Sequence, residues 1–496
     1  MTRRSFHQAG AALLFAPLDR VLHAAPAPAP AAPAPYGATP SARQLRWHQM
    51  ETTAFLHFTV NTFTDKEWGY GDEDPNIFAP ARFDADAIVE PLADAGMKGV
   101  ILTAKHHDGF CLWPTATTDH SVRSSAWRGG KGDVVRDIAD AARRRGLAFG
   151  VYLSPWDRHQ AAYGTPEYIT IYRRQLTELL TGYGPIFEVW HDGANGGDGY
   201  YGGAREKRTI DKNTYYDWPR TWDLVRRLQP GSVIFSDVGP DVRWVGNERG
   251  IAGDPCWNTY DPVGADGGAA SPGNVREKES PTGHRHGSRW LPAECDVSIR
   301  PGWFWHPAQN AKVKTPAELI QLYYQSAGRG ANLLLNVPPN RDGLLQQEDI
   351  ASLRAFGRYR RETFGNNLAA GARIAASNSR PGYSAANLLD GREETFWAAE
   401  DGVLTPEVTL DLRAAATFRV IRLCEAIQLG QRIDAVAIDR WEAGTWQPVA
   451  TATSIGARRL IRLDRPMTAM RLRLRVTEAS ASPALNGFGL LAEPNG

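Results

Sequence analysis

The stretch IFEVWHDGANG, from Ile186 to Gly196, passes from an apolar run into a glycine-rich turn, with a histidine and an aspartate at the junction. A short apolar run bounded by turn residues is typical of a strand that is buried on both faces of a parallel sheet. In α/β barrels the loops at the carboxyl ends of the strands carry the active site. The stretch therefore predicts a barrel strand that ends at a functional side chain.

The same pattern recurs along residues 50–362, where apolar runs alternate with helical patterns. In DVVRDIADAARRRG (133–146), for example, Asp133 is a candidate N-cap and Gly146 marks the helix end. Repeated β–α units predict an α/β fold, a (β/α) TIM-like barrel, with a doubly wound sheet as the alternative. The barrel is favoured because polar residues repeatedly follow the strands. The predicted strands are 54–63, 99–104, 148–153, 186–190, 232–236 and 332–337, and the predicted helices start at 84, 133, 166, 217, 315 and 347.

The chain changes character after about residue 371. Short alternating segments such as EVTLDL (407–412), FRVIRLCEAI (418–427) and MRLRLRV (470–476) are separated by turns, which predicts a C-terminal antiparallel β-sandwich. The predicted organisation is a signal peptide and Ala/Pro linker at 1–35, a catalytic barrel at 36–365, a linker at 366–371 and the sandwich at 372–496.

The N-terminus is typical of an export signal. Arg3 and Arg4 precede an apolar run that is too short to span a bilayer, and an Ala/Pro-rich linker follows. The pattern resembles a twin-arginine signal and predicts a periplasmic or secreted protein. The sequence contains no other candidate membrane segment.

Composition limits the possible partners and structural crosslinks. The 496 residues include 56 Lys and Arg and 55 Asp and Glu, so the net charge of +1 gives no support for a nucleic-acid or anionic-membrane partner. The four cysteines, Cys111, Cys256, Cys295 and Cys424, form no CxxC pair, and their disulfide state stays open. The 16 tryptophans supply core residues and also rings on which a sugar can stack.

Four groups of polar and aromatic residues follow predicted strands. Burying many polar groups without a purpose is costly, so their convergence on one edge of the sheet indicates a functional site rather than structural histidines. The groups are His57 with EWGYG (67–71), His106 with His107 and Asp108, Tyr152 with Trp156, and Asp192.

Three reaction classes can use such residues. Metal-dependent hydrolysis is disfavoured because the adjacent His106 and His107 would point to opposite sides of a strand, and no HExxH motif is present. A serine hydrolase lacks its GxSxG motif. Glycoside hydrolysis needs two carboxyl groups that flank the scissile bond, and this class is favoured.

Asp192 is the strongest candidate for one carboxyl group. The strand backbone fixes its direction, and the glycines that follow allow a substrate to approach closely. Because adjacent residues point to opposite sides, His191 is predicted to point away from Asp192, as a packing or neighbouring-pocket residue. From the residues alone the second carboxyl group stays open among Asp237, Asp241, Glu248, Glu294 and Asp296.

Seven motifs in order resemble the α-L-fucosidases of glycoside hydrolase family 29. They are HFTVNTF (57–63), EWGYG (67–71), KHHDGFCLWPT (105–115), GVYLSPWDR (150–158), EVWHDGANG (188–196), DVRWVGNERG (241–250) and WLPAECDVSIRPGWFWH (290–306). The last motif is similar to the subgroup that acts on α-1,3- and α-1,4-linked fucose. The C-terminal segment AANLLDGREETFWAA (385–399) is similar to discoidin-like carbohydrate-binding modules.

The resemblance implies a retaining double displacement. Asp192 matches the nucleophile and Glu248 the acid/base, with Glu294 in reserve, and the two catalytic carboxyl groups should lie about 5–5.5 Å apart. The pKa of Glu248 should be raised by burial or by the charge of Asp192. The resemblance places His57, Trp68, His106, His107, Tyr152 and Trp190 in a fucose pocket, and Glu294, Asp296, Arg300 and Trp303 beside neighbouring sugars.

The resemblance also implies the partners and cofactors. The expected partners are fucosylated oligosaccharides or glycoproteins, and catalysis is expected to need no cofactor and no active-site metal. A structural calcium is possible in the C-terminal module. The alternatives are a carbohydrate-binding protein with a degenerate barrel, and a barrel glycosidase for another sugar.

Overall fold

Eight parallel strands close into a barrel in the computed structural model, which describes residues 31–494. Neighbours around the barrel follow the order β1-β10-β9-β8-β7-β4-β3-β2, so the predicted TIM-like fold is confirmed and the doubly wound alternative is wrong. The strands up to the end of the barrel are β1 (Thr52–Leu56), β2 (Gly99–Lys105), β3 (Ala148–Leu153), β4 (Glu188–Trp190), the short hairpin of β5 (Gly197–Gly199) and β6 (Glu206–Arg208), β7 (Val233–Ser236), β8 (Val242–Trp244), β9 (Ala293–Ser298) and β10 (Asn332–Asn336).

Two barrel strands were not predicted from the sequence. Strand β8 is only three residues long, and β9 contains Glu294 and Asp296 within a fully buried segment. Neither strand therefore reads as a continuous apolar run. The first predicted strand was too long, because the chain leaves β1 at Leu56 and turns into a helix at Val60.

Six of the described helices, α3 to α8, begin close to the predicted positions, whereas α1 and α2 were not predicted. Asp84 and Asp133 cap their helices by accepting hydrogen bonds from the backbone N–H groups of Ala87 and Arg136. The helices are α1 (Ala42–Met50), α2 (Val60–Thr64), α3 (Ala85–Asp94), α4 (Val134–Arg144), α5 (Pro166–Gly182), α6 (Trp218–Leu228), α7 (Pro316–Gln325) and α8 (Gln347–Phe364).

The interior of the barrel is filled by aromatic and aliphatic side chains. Phe55, Tyr152, Trp190 and Phe235 form one buried cluster with Trp47 from α1. The indole of Trp190 stacks on Phe235, with ring centroids 4.0 Å apart. A packed interior of this kind leaves the loops at the carboxyl ends of the strands as the place for a ligand site.

The C-terminal residues form the predicted antiparallel domain. Its sheet has the order β12-β17-β13-β16-β14-β15, with β11 paired to β13. Ion pairs between Arg458 and Glu51 (2.7 Å) and between Arg459 and Asp254 (2.8 Å) join this domain to the barrel. The strands are β11 (Arg373–Ala376), β12 (Trp397–Ala398), β13 (Glu407–Glu425), β14 (Ile433–Glu442), β15 (Thr445–Ala452), β16 (Arg459–Ala479) and β17 (Ala484–Leu491).

Four further expectations concern the N-terminus, the cysteines, membrane segments and metal ligands. The predicted signal segment lies in residues 1–30, outside the described part of the chain. All four cysteines are free. Within residues 31–494 no helix is long and apolar enough to cross a membrane. The same residues contain no group of three or more His, Cys, Asp or Glu side chains placed to hold a metal ion.

Candidate active site

A cavity of about 300 Å³ opens at the carboxyl end of the barrel strands. Its walls combine carboxylates, imidazoles and aromatic rings, which together can hydrogen-bond the hydroxyl groups of a sugar and cover its apolar faces. The lining residues are Phe55, His57, Trp68, His106, His107, Tyr152, Trp190, Asp192, Gly193, Ala194, Asp237, Trp244, Glu248, Gly273, Val275, Glu277, Asp296 and Trp303.

The carboxylate of Asp192 is held by two hydrogen-bond donors. The hydroxyl of Tyr152 donates to Oδ2 at 2.9 Å, and the backbone N–H of Ala194 donates to Oδ1 at 2.7 Å. Burial and the negative charge of Asp192 raise the pKa of Tyr152 well above its usual range, so this hydroxyl keeps its proton and remains a donor. Asp192 therefore faces the cavity in a fixed orientation.

The neighbour of Asp192 points the other way, as predicted. His191 is fully buried, and its Nδ1 lies 2.9 Å from the hydroxyl of Tyr172 on α5. Its ring packs against Trp218 of α6, with centroids 5.1 Å apart. His191 therefore contacts the helix layer and does not line the cavity.

His106 and His107 do not point to opposite sides, so the prediction from strand alternation was wrong. Both residues line the cavity, and their ring centroids are 4.0 Å apart. Strand β2 ends at Lys105, and the hydrogen bond from Gly109 N–H to the carbonyl of His106 closes a turn there, so the alternation of a strand no longer applies.

Burial keeps these imidazoles neutral. It lowers the pKa of His57 and His107 to about 4 and that of His106 well below its usual range. A neutral imidazole offers one N–H donor and one nitrogen acceptor. This is the hydrogen-bonding pattern that suits uncharged hydroxyl groups.

Hydrogen bonds behind the rings fix which nitrogen carries the proton. His57 Nδ1 lies 2.9 Å from Asn336 Oδ1, which can only accept. His107 Nδ1 lies 2.7 Å from the hydroxyl oxygen of Ser154, whose own proton is donated to the carbonyl of Trp156. In both rings Nδ1 is therefore the donor, and Nε2 remains a hydrogen-bond acceptor.

Glu248 follows β8 and lines the same cavity as Asp192. Partial burial, the negative charge of Asp192 and that of Glu67 raise its pKa, while a hydrogen bond with Trp303 lowers it. Next to it, burial and the charge of Glu248 raise the pKa of Asp296 well above its usual range. A carboxyl group with a raised pKa beside an oriented carboxylate is the arrangement used in glycoside hydrolysis.

Comparison with known proteins agrees with this chemistry. The sequence profile described as "Alpha-L-fucosidase" matches residues 37–363, and that of the F5/8 type C domain matches residues 373–493. The chain belongs to the α-L-fucosidase family. This fucosidase is 43% identical to alpha-L-fucosidase 1 of Arabidopsis thaliana over 91% of its own length and 87% of the relative.

Solved structures resemble the fucosidase over nearly its whole length. A glycoside hydrolase 29 family member from an unknown rumen bacterium is 41% identical, with a TM-score of 0.82, over 93% of this chain and 78% of the other. A Ruminococcus gnavus GH29 fucosidase in complex with fucose is 33% identical, with a TM-score of 0.83, over 94% and 97% of the two chains. The discoidin-like character of the C-terminal domain is likewise confirmed by the F5/8 type C match.

Two of the predicted site residues lie outside the cavity of the fucosidase. Glu294 is fully buried in the barrel, where its Oε1 accepts a hydrogen bond from the indole of Trp190 at 2.9 Å. Arg300 forms a buried ion pair with Asp349 at 3.1 Å. Neither side chain faces the cavity, so the structure contradicts their placement beside neighbouring sugars. The other predicted site residues, His57, Trp68, His106, His107, Tyr152, Trp190, Asp192, Glu248, Asp296 and Trp303, all line the cavity.

The remaining carboxylate candidates have different surroundings. Asp241 is buried and accepts hydrogen bonds from the side chain of Arg226 and the backbone N–H of Ile234, so its role is structural. Asp237 lines the cavity, and burial together with the charge of Asp192 raises its pKa to about 7, although the N–H of Gly273 opposes this shift.

Several lining residues were not predicted as site residues from the sequence. Phe55 was assigned only to a strand, and Trp244 lies in the unpredicted strand β8. Gly273, Val275 and Glu277 belong to the long irregular segment after β8, where the only available signal was a high content of glycine, proline and aromatic residues.

Proposed function

We propose that this protein is an exo-acting, retaining α-L-fucosidase that removes α-1,3- or α-1,4-linked fucose from branched oligosaccharides or glycoconjugates. The observation that carries the proposal is the presence of Asp192 and Glu248 in one small cavity with contrasting surroundings. Its volume of about 300 Å³ is at the small end for ligand pockets and suits a single terminal sugar.

The first chemical step assigns the nucleophile to Asp192. Its carboxylate attacks C1 of the fucosyl group, the bond to the leaving oxygen breaks, and a covalent fucosyl-enzyme forms. The two donors to Asp192 orient the carboxylate before the attack. Such preorganisation lowers the activation barrier, because the carboxylate loses less conformational freedom when the transition state forms.

Glu248 is assigned the acid/base role in both steps. In the first step its carboxyl proton passes to the leaving sugar oxygen. In the second step its carboxylate takes a proton from the water that attacks C1, and the bond between C1 and Asp192 breaks to release the Asp192 carboxylate. A general acid must hold a proton in the resting enzyme, and the raised pKa of Glu248 favours this state.

The other lining residues are assigned to the binding of the fucose ring. The neutral imidazoles of His57 and His107 present Nε2 as acceptors for sugar hydroxyl protons. Trp190 and Phe55 supply aromatic surface for the apolar side of the ring and for the C6 methyl group. The proposal also includes export of the protein, which rests on the twin-arginine-type N-terminus.

The linkage preference is tested by product analysis. The protein is incubated separately with a Lewis-type trisaccharide, which carries α-1,3- or α-1,4-linked fucose, and with an α-1,2-fucosylated disaccharide. Release of fucose from the trisaccharide at a clearly higher kcat/KM is expected. Cleavage of the α-1,2-linked disaccharide alone would contradict the assigned linkage, and cleavage of neither would contradict the activity.

The pH dependence of kcat/KM should have two limbs with separate causes. Towards pH 4 activity should fall, because His57 and His107 become cations near their pKa of about 4 and lose their acceptor nitrogens. On the alkaline side activity should fall as Glu248 loses its proton. Because the pKa of Glu248 is raised, this limb should lie at a higher pH than the titration of an ordinary carboxyl group. With α-L-fucosyl fluoride, whose leaving group needs no proton, the alkaline limb should disappear. An identical alkaline limb for the fluoride and for an oligosaccharide would contradict the role of Glu248.

A further inference from the structure

A histidine outside the cavity bridges two carboxylates. His306 Nδ1 lies 2.9 Å from Asp65 Oδ1, and His306 Nε2 lies 2.5 Å from Glu67 Oε1. A carboxylate only accepts hydrogen bonds, so each ring nitrogen must carry a hydrogen for both bonds to form. The bridge, which we call the His306 clamp, therefore consists of a cationic imidazolium between Asp65 and Glu67, and both of its bonds are charge-assisted.

The clamp joins two loops of the barrel. Asp65 and Glu67 follow α2 in the connection after β1, three residues and one residue before the cavity-lining Trp68. His306 lies in the loop after β9, three residues beyond the cavity-lining Trp303. Barrel loops are the movable part of the fold, so a contact between two of them fixes the side chains that both present.

The second oxygen of Glu67 holds the backbone of Trp303. Oε2 of Glu67 accepts a hydrogen bond from the N–H of Trp303 at 2.8 Å. The carbonyl oxygen of Trp303 accepts a hydrogen bond from Asn336 Nδ2, also at 2.8 Å. Gly302 packs so closely on Glu67 that an added Cβ would lie 2.1 Å from Oε1. Glu67 therefore binds His306 with one oxygen and positions Trp303 with the other.

Trp303 connects the clamp to the proposed acid/base. Its indole packs against His57, with ring centroids 5.2 Å apart, and it lines the same cavity as Glu248. Hydrogen bonding by Trp303 lowers the pKa of that carboxyl group. Glu248 must lie beside the leaving oxygen when it donates its proton. Trp303 is therefore on the side of the cavity where the leaving sugar is bound.

We propose that the His306 clamp positions Trp303, and through it Glu248, for fucosides whose leaving group is a sugar. Asp65, Glu67 and His306 are positioning residues, because none of them lines the cavity. This proposal rests on the proposed function, since it takes Glu248 as the group that protonates the leaving oxygen. A fucoside whose small leaving group needs neither a proton nor a binding surface should not depend on the clamp.

The test compares two substrates across a series of variants. His306→Gln removes the cation and cannot donate to both carboxylates from opposite sides, whereas His306→Arg keeps a cation with several donors. For a fucosylated trisaccharide, kcat/KM should fall about tenfold in His306→Gln and recover in His306→Arg, because small misplacements of catalytic groups are costly. For α-L-fucosyl fluoride, kcat/KM should change less than about twofold on the same argument.

A matched control and a second variant separate the clamp from general destabilisation. His284→Gln removes another histidine–carboxylate pair, with Glu279 at 3.2 Å, and should change neither substrate. Asp65→Asn weakens the clamp from its other end and should repeat the selective loss, which keeps the proposal testable if His306→Gln folds poorly. Equal losses for both substrates in Asp65→Asn, or no loss for the trisaccharide, would overturn the clamp.

The same assay distinguishes a failure of the clamp from a failure of the proposed function. Glu248→Ala is measured beside the other variants on both substrates. If Glu248→Ala lowers kcat/KM only for the trisaccharide while the clamp variants do not lower it, the clamp alone is overturned. If Glu248→Ala leaves kcat/KM for the trisaccharide unchanged, the acid/base assignment fails, and the clamp fails with it.

Discussion

Asp192→Asn should lower kcat on an aryl α-L-fucoside by roughly 10⁴-fold, a loss of the size seen when a member of a catalytic constellation is removed. The amide nitrogen and oxygen that replace the carboxylate cannot form the fucosyl-enzyme at a useful rate. The substitution preserves size, and the side-chain oxygen can still accept from the N–H of Ala194, while the hydroxyl of Tyr152 can accept from the amide nitrogen. The expected loss is therefore chemical and not a loss of folding.

Two measurements make the Asp192→Asn result decisive. The thermal unfolding temperature should stay close to that of the wild type, because the cavity geometry is retained. Asp223→Asn, a control on the exposed face of α6, should keep the wild-type rate. Near-normal turnover by Asp192→Asn would contradict the nucleophile assignment, whatever the control does.

Glu248→Ala should have the second largest effect, with a loss of roughly 10²- to 10⁴-fold on a fucosylated oligosaccharide, the range typical of general acid–base catalysis. A substrate with a good leaving group still reacts with Asp192 in this variant, so the fucosyl-enzyme forms but is hydrolysed slowly. Azide needs no general base, so it should restore turnover of this substrate with the good leaving group. Because azide attacks from the face opposite to Asp192, the product should be α-L-fucosyl azide.

The control for Glu248 is another carboxylate of the same cavity. Glu277 lines the cavity but belongs to the segment after β8 that contains Gly273 and Val275. Glu277→Ala should keep the wild-type activity on the oligosaccharide, and azide should not change its turnover. If Glu248→Ala keeps full activity on the oligosaccharide, or if azide does not raise its turnover of the substrate with the good leaving group, the acid/base lies elsewhere.

Most of the barrel was predictable because buried strands read as apolar runs with clear ends. Strand β3 begins and ends at the predicted residues, Ala148 and Leu153. The failures have a physical pattern. Strand β9 carries Glu294 and Asp296, whose buried carboxyl groups interrupt the apolar run. Their partners, Trp190 and Trp244, come from distant parts of the chain and cannot be read from local sequence.

The site was predictable where a side chain follows a strand directly. Asp192 and His191 continue the alternation of β4, so one faces the cavity and the other the helices. For His106 and His107 the same argument failed, because the carbonyl of His106 already accepts a turn hydrogen bond from Gly109 N–H, whereas the N–H of His191 still bonds to Phe235 of the neighbouring strand β7. Arg300 was misplaced because its ion-pair partner, Asp349, lies 49 residues along the chain.

The most direct test of Asp192 as the nucleophile is covalent trapping. A 2-deoxy-2-fluoro-α-L-fucosyl fluoride slows both steps, and the fluoride leaving group favours the first, so a retaining enzyme accumulates its glycosyl intermediate. Intact-protein mass spectrometry should detect one added fluorofucosyl group, and peptide mapping should place it on Asp192. A label on any other carboxylate, or hydrolysis with inversion and no label, would contradict the double displacement through Asp192.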